Sequence, residues 1–146
     1  MRQSRKGLVQ SMKLLIDANV ILDVLQSRKP HVETSSIIWK LCETEQVKGC
    51  VSALTFANMV YIMHKELEPE KIEEVLTKLS LIFDFVDLSA SDLSKAAQLH
   101  WDDFEDALQS VTAERIHADY IITRNVKDFT KSRVVAFTPS ELIARI

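Results

Sequence analysis

The chain has little glycine and proline, and this restricts its fold class. Its 146 residues include only 2 Gly and 3 Pro, too few for the many tight turns of a small all-β sandwich. Hydrophobic residues make up 47% and charged residues 27%, which are ordinary values for a globular protein. We therefore expect one domain with a sizeable core, built mainly from helices joined by short loops.

The chain also lacks a basic net charge, paired cysteines and long apolar runs. A net charge of -3 gives no general attraction to nucleic acid, although bound cations can reverse the sign of a carboxylate site. Cys42 and Cys50 form no CxxC pair, so we expect free, buried thiols in a reducing cytoplasm. No apolar run reaches transmembrane length and none follows the basic start, so neither a membrane span nor a signal peptide is predicted. Residues 1–11 precede Met12 and are expected to form a loosely ordered extension of a domain spanning 12–146.

The periodicity of apolar residues predicts alternating strands and helices. Short apolar runs predict strands at 14–16, 49–52, 85–88, 120–123 and 134–137. Helical spacing predicts helices at 20–25, 32–45, 54–66, 69–82, 90–100 and 103–117, and Thr138, Pro139 and Glu141 mark the start of a last one. This alternation is typical of a three-layer α/β/α fold with a central, mostly parallel sheet. Ligands of such sheets bind beyond the carboxyl ends of the strands, so polar residues there are the first candidates for function.

Asp17 directly follows the first predicted strand. Asp is a common helix N-cap, and this structural role would explain it without any chemistry. Asn19 is a second possible cap, which would leave Asp17 free for a functional role.

A second acidic group lies at the start of the helix predicted at 103–117. It consists of Asp102, Asp103, Glu105 and Asp106. Acids complement the positive end of a helix dipole, which is a sufficient structural explanation for their presence. Helical geometry, however, places Asp103 and Asp106 on the border of the apolar face, with Asp102 and Glu105 nearer to solvent. Both interpretations stay open.

A third polar group follows the strand predicted at 120–123. Asn125 and Asp128 could simply form a turn. Basic residues surround them and could bind a phosphate or belong to a solvated loop: Arg124, Lys127, Lys131 and Arg133. Three groups of oxygen donors at strand ends favour a site for a hard cation, Mg²⁺ or Mn²⁺, which would polarise a phosphate and activate water.

Three segments in this order resemble the PIN-domain family, and the likeness spans 12–146. They are Leu-Ile-Asp-Ala-Asn-Val-Ile-Leu-Asp at 15–23, Phe-Glu-Asp-Ala-Leu-Gln at 104–109, and the run from Ala118 to Phe129. The resemblance implies that Asp17, Asp103 and Asp106 are metal ligands. It places Asn58 where PIN nucleases usually carry Glu, and Asn125, followed by Asp128, at the fourth acidic position. Asn58, Asn125 and Asp128 would complete the catalytic site, and Thr123, Arg124 and Lys127 would contact substrate.

The resemblance implies a metal-dependent endoribonuclease that uses Mg²⁺ or Mn²⁺ to hydrolyse RNA. It further implies the toxin of a toxin–antitoxin pair, dimeric and bound by a small antitoxin protein. The alternative is a catalytically degenerate module of the same fold that binds RNA or protein, because Asn58 and Asn125 replace acids. A haloacid-dehalogenase-like phosphatase is disfavoured, because that chemistry expects a second Asp where Asn19 stands.

Overall fold

The computed structural model describes residues 12–146, and its centre is a five-stranded sheet. The predicted extension at 1–11 lies outside the described residues. The strands are β1 (Lys13–Ile16), β2 (Lys48–Ser52), β3 (Asp84–Val86), β4 (Tyr120–Ile122) and β5 (Ala136–Phe137). Their order in the sheet is β3-β2-β1-β4-β5, and all four pairings are parallel.

Helices cover both faces of this sheet, which confirms the predicted three-layer α/β/α fold. They are α1 (Ala18–Leu25), α2 (Val32–Glu43), α3 (Ala53–Ile62), α4 (Pro69–Ile82), α5 (Ala90–Leu99), α6 (Phe104–Arg115) and α7 (Pro139–Ile143). A 3₁₀ turn, Val126–Phe129, lies between β4 and β5. The predicted capping box of the last helix is present, with Thr138 and Glu141 each bonding the other's backbone N–H.

The alternating side chains of β1 divide the core between the two faces. Leu14 and Ile16 pack with residues of α1, α2, α3, α4 and α7, whereas Leu15 packs on the opposite side with Ala113 of α6 and Phe129. All three β1 side chains are at most 1% exposed. A strand buried on both faces reads as a continuous apolar run, which is why this strand was predictable from the sequence.

The direction in which the chain adds strands reverses at β1. The chain builds β2 and β3 outward on one side of β1, then returns to place β4 and β5 on the other side. Ile16 pairs with Ile122 in register, so the next residues, Asp17 and Thr123, leave the sheet side by side. Such a reversal opens a crevice at the carboxyl ends of the two strands, where α/β proteins bind ligands.

Some boundaries differ from the predicted ones for local reasons. Helix α6 begins at Phe104 because Asp103 acts as its N-cap, and it ends at Arg115 shortly before His117, whose φ is 58°. The strand predicted at 134–137 is reduced to Ala136–Phe137, where it pairs with β4 at the edge of the sheet. The Val134 N–H bonds the Ser132 hydroxyl instead of a strand.

A buried ion pair fixes α5 against α6. Asp92 on α5 is 0% exposed, and the Arg115 Nε donates to both of its carboxylate oxygens, at 3.0 and 2.8 Å. Arg115 also donates from Nη2 to the Asp87 carbonyl oxygen at 2.6 Å. Burial removes water from the Asp92 carboxylate, and the hydrogen bonds to both of its oxygens offset part of that desolvation penalty. The pair thereby orients α6, the helix that carries the second acidic group.

Both cysteines are free and buried, as the sequence predicted. Burial raises the pKa of the Cys42 thiol to about 12, with a smaller contribution from Cys50. Trp39 packs edge-on against Phe83 and Trp101 against Phe129, so both tryptophans have packing roles. Within 12–146 no helix is both long and apolar enough to cross a bilayer.

Gly49 on β2 is expected to resist substitution. A Cβ atom there would lie 2.5 Å from Cys42 Sγ and 2.9 Å from Phe83 Cδ1. Gly49→Ala should therefore lower the free energy of unfolding by about 1–3 kcal/mol, measured by urea denaturation, because the buried neighbours must shift. The double variant Gly49→Ala/Cys42→Ala should recover part of that loss. A single variant as stable as wild type would contradict this packing.

Candidate acidic active site

Asp17 lies at the point where the strand order reverses. It caps a helix and also lines a cavity. Its Oδ1 accepts a hydrogen bond from the Ala18 N–H at 2.9 Å, and it is the N-cap of α1. Its Oδ2 accepts from the Thr123 hydroxyl at 2.8 Å. The alternative that Asn19 caps this helix is wrong. Because Asp17 is only partly buried and lines a cavity, capping does not exclude a functional role.

Burial raises the pKa of the Asp17 carboxyl above its ordinary value. Hydrogen bonds from Thr123 and Ala18 and the nearby Gln109 amide act against this by favouring the ionised form, while Asp103 adds repulsion. The Thr123 hydroxyl therefore has an electrostatic function, since it offsets part of the cost of keeping a carboxylate at this depth.

A small network of polar side chains connects Asp17 to the loop after β4. Thr123 is 0% exposed, and its Oγ1 accepts from the Asn125 N–H at 3.1 Å and from Asn19 Nδ2 at 3.4 Å. Asn19 Oδ1 in turn accepts from the Arg124 N–H at 3.2 Å. In this conformation the buried Thr123 hydroxyl contacts Asp17, and its predicted contact with a substrate stays a prediction.

Asp103 and Asp106 occupy different positions at the start of α6. Asp103 is the N-cap and accepts from the Asp106 N–H at 3.0 Å. Asp106 lies two residues into the helix and is partly buried. Burial raises its pKa to about 7, and repulsion from Asp103, Asp17, Asp128 and Glu105 adds to the effect. These interactions show that acids from three parts of the sequence share one electrostatic environment around Asp106.

Two cavities meet at Asp106. The first, here called the acidic cavity, has a volume of about 260 Å³. The second, the lysine cavity, has a volume of about 240 Å³. The acidic cavity is lined by Asp17, Ala18, Leu54, Thr55, Asn58, Tyr61, Ile62, Glu105, Asp106 and Gln109. The lysine cavity is lined by His100, Trp101, Asp102, Asp103, Asp106, Lys127, Asp128, Thr130 and Lys131.

These cavities contain most, but not all, of the residues that the sequence singled out. Asp17, Asn58 and Asp106 line the acidic cavity, and Asp103, Asp106, Lys127 and Asp128 line the lysine cavity. Asn125 lines neither of them and is exposed, while its backbone N–H holds Thr123.

Arg124 is directed toward a buried carboxylate and not toward either cavity. Its Nε lies 3.1 Å from Oδ2 of Asp23, which is 0% exposed. The approach is electrostatic, because the Nε–H does not point at an acceptor. Asp23 Oδ2 also accepts from the Ser35 hydroxyl at 3.0 Å. In this conformation Arg124 therefore contacts Asp23 of α1, and its predicted contact with a substrate stays a prediction.

Sequence reasoning missed two residues of the acidic cavity, Glu105 and Gln109. Glu105 is exposed, as the helical geometry predicted, but its Oε2 also accepts a hydrogen bond from Asn58 Nδ2 at 3.1 Å, which the sequence did not predict. Gln109 is only 7% exposed, and no atom of residues 12–146 accepts a hydrogen bond from its Nε2. Residues 105 and 109 are one helical turn apart and share a face with Asp106. That spacing was a usable signal for Gln109, whereas no local pattern connects Asn58 with Glu105.

The donor chemistry of the site fits a hard divalent cation. Carboxylate and amide oxygens are the ligands of Mg²⁺ and Mn²⁺, and burial followed by repulsion from four neighbouring carboxylates raises the pKa of Asp106. Within residues 12–146, no group of three or more His, Cys, Asp or Glu side chains is already spaced to hold a metal ion.

The chain is an α/β protein whose parallel sheet carries a carboxylate site at the strand ends, where the strand order reverses. The family model of the PIN domain matches residues 13–127. The chain is therefore a member of the PIN-domain family.

Solved structures with the same fold include a toxin–antitoxin complex from Klebsiella pneumoniae, which has a TM-score of 0.63 at 20% identity and covers 86% of this chain and 97% of its own. VapBC2 from Rickettsia felis, bound to a DNA fragment from their promoter, has a TM-score of 0.66 at 16% identity and covers 87% of this chain and 98% of its own. FitAcB from Neisseria gonorrhoeae has a TM-score of 0.65 at 21% identity, and the match covers 87% of this chain and 98% of FitAcB. VapC20 from Mycobacterium tuberculosis, a Sarcin-Ricin loop cleaving toxin, has a TM-score of 0.60 at 10% identity and covers 74% and 86%. No curated protein sequence matches significantly.

Removing the Thr123 hydroxyl should destabilise the protein. Thr123→Val leaves Asp17 Oδ2 without its 2.8 Å donor, and hydrogen bonds to charged groups contribute about 1.5–3 kcal/mol. We expect a loss of this size in urea denaturation at pH 7. Thr130→Val, at an exposed position, is the matched control and should change stability little. Equal stability of the two variants would refute the role assigned to Thr123.

Asp106 should make stability depend on pH. Its folded-state pKa of about 7 exceeds the ordinary 3.8, so its contribution is fully present below pH ~4 and is lost as the pH rises through ~7. In EDTA, Asp106→Asn should therefore melt a few degrees above wild type at pH 8 and close to it at pH 4. Differential scanning calorimetry across this range measures the effect. Asp102→Asn is the control, and an equal gain at both pH values for Asp106→Asn would count against the assigned charge repulsion.

Proposed function

We propose that this chain is a metal-dependent endoribonuclease. The observation that carries the proposal is the position of Asp106 between the two cavities, in a carboxylate environment that raises its pKa to about 7. A family member with this excess of negative charge at the strand ends is suited to bind a divalent cation.

Asp17, Asp103 and Asp106 are the proposed metal ligands. Thr123 and Ala18 hold the Asp17 carboxylate by hydrogen bonds at 2.8 and 2.9 Å, so this ligand is oriented before any cation arrives. Asp103 receives the Asp106 N–H and is fixed at the start of α6. Asn58 and Asp128 border the same region, and Asn125 holds Thr123 through its backbone. Bound Mg²⁺ or Mn²⁺ would supply Lewis-acid stabilisation of a phosphodiester.

The lysine cavity provides the proposed contact with the RNA backbone. Lys127 and Lys131 line it together with Asp103 and Asp106, so ammonium groups share a cavity with two of the proposed metal ligands. Ammonium groups bind phosphates as point charges, without base specificity. A phosphate held by these lysines would bring the adjoining bond toward the acids. An RNA substrate is also supported by the similar fold of VapC20, described as a Sarcin-Ricin loop cleaving toxin.

The cellular role we infer is that of a toxin controlled by an antitoxin protein. Support comes from the toxin–antitoxin complex from Klebsiella pneumoniae, which shares this fold. A homodimer is part of the same proposal, as is a cytoplasmic location, which suits two buried free thiols.

The second candidate is an inactive PIN module that binds RNA or protein. Its motivation is the pair of amides at Asn58 and Asn125, which bring no negative charge to positions where the family resemblance implies acids. This candidate predicts RNA binding through the lysine cavity with no metal-stimulated cutting.

Cleavage of a panel of structured and single-stranded RNAs distinguishes the two. Wild type should cut with Mg²⁺ or Mn²⁺ and not in EDTA. Asp17→Asn and Asp106→Asn should each lower the rate by about a hundredfold or more, because each removes a charge that positions the cation.

Asp119→Asn is the matched control, because Asp119 precedes β4 and therefore lies at the opposite end of the sheet. It should cut like wild type. RNA binding without cutting under all conditions would favour the inactive module, and cutting that survives in Asp17→Asn would disprove the ligand assignment.

A further inference from the structure

We propose that Glu105, held in place by the Asn58 amide, supplies the carboxylate that position 58 lacks and is a ligand of the cation in the acidic cavity. The inference rests on the proposed metal-dependent function and assigns a new residue to that site. Asn58 stands where the family resemblance implies Glu, so that position lacks one negative charge. A carboxylate from Glu105 would replace it.

The first argument is a direct contact between the two residues. Asn58 on α3 donates from Nδ2 to Glu105 Oε2 on α6 at 3.1 Å, across 47 positions of sequence. Both side chains line the acidic cavity together with Asp17 and Asp106. An amide N–H is a donor that a Glu side chain at position 58 could not provide. Asn58 thus does for Glu105 what an outer-shell partner does for a metal ligand, because it fixes the orientation of the carboxylate.

The second argument is the amide of Gln109, which lies near Asp17 and favours its ionised form, but whose Nε2 has no acceptor within hydrogen-bond geometry among residues 12–146. Gln109 lines the acidic cavity, is 7% exposed, and has a buried Nε2 without a hydrogen-bond acceptor among residues 12–146. Buried donors are nearly always satisfied, so an unsatisfied one indicates an acceptor that arrives with a ligand. A cation with its water, or a phosphate oxygen, would bring such an acceptor.

The third argument is the arrangement of α6. Glu105, Asp106 and Gln109 lie at positions i, i+1 and i+4 of one helix, and all three reach the acidic cavity. Asp103 caps the same helix, and the Arg115–Asp92 ion pair fixes its far end. One rigid element therefore presents two carboxylates and one amide donor, while Asp17 approaches from β1. Sites built on regular elements hold their ligands more accurately than sites on loops.

Manganese binding to the free protein, measured by calorimetry without RNA, tests the inference. Glu105→Gln keeps the size of the side chain and an acceptor for Asn58 but removes the charge, and it should weaken Mn²⁺ binding about tenfold or more. Asn58→Ala, which removes only the orienting amide, should weaken it less. Glu114→Gln is the matched control, because Glu114 is exposed on the same helix and pairs with Arg133 away from both cavities.

A charge exchange makes the test specific. Asn58→Glu combined with Glu105→Gln returns the carboxylate to position 58 and should restore Mn²⁺ affinity close to wild type. Circular dichroism and the melting temperature in EDTA check that each variant is folded. Restoration in the double variant would support the inference, because a merely structural hydrogen bond between α3 and α6 would not transfer affinity in this way.

The possible failures are distinguishable. If wild type and Glu105→Gln bind Mn²⁺ equally while Asp17→Asn does not, the role of Glu105 is overturned and the metal site stands. If wild type binds no Mn²⁺, or Asp17→Asn binds it unchanged, the inference is overturned together with the metal-dependent function.

Discussion

The parallel pairing of β1 with β4 is the constraint on which the site depends. The chain crosses back over the sheet after β3 to place β4 beside β1, and the register of Ile16 with Ile122 brings Asp17 next to Thr123. The 2.8 Å hydrogen bond between these residues joins two parts of the sequence 106 positions apart. Asn19 and Asn125 complete the junction from either side. Every proposed role at the carboxyl edge of the sheet depends on this geometry.

The concentration of acids at that edge works against the stability of the fold. Burial and repulsion raise the pKa of Asp106 to about 7, and burial raises the pKa of Asp17 as well. The protein offsets part of this cost locally, since Asp17 and Asp103 both serve as helix N-caps. The buried Arg115–Asp92 pair fixes α6 from the other end. Carboxyl groups with pKa values raised by burial and by neighbouring charges are typical of functional sites.

The hydrogen bond between Asn58 and Glu105 is the contact on which the proposed role of Glu105 depends. Compared by position alone, Asn58 is a loss of an acid, and the site resembles a weakened nuclease. In the folded chain the amide of Asn58 holds a carboxylate from α6 within the same cavity. Under the proposed assignment, α3 and α6 exchange ligand and orienting partner without changing the total charge of the cavity.

The sequence by itself determined the layers of the fold and the candidates for its site, because both leave local signals. Continuous apolar runs identified β1 and β4, helical spacing identified the helices, and Thr138 with Glu141 identified the last N-cap. The tertiary structure alone decided which polar residues meet. It buried Thr123 beneath Asp17, turned Arg124 toward Asp23, and joined Asn58 to Glu105. These contacts link positions 47 to 106 residues apart, and residues so distant come together only through strand order and helix packing, which no local periodicity encodes.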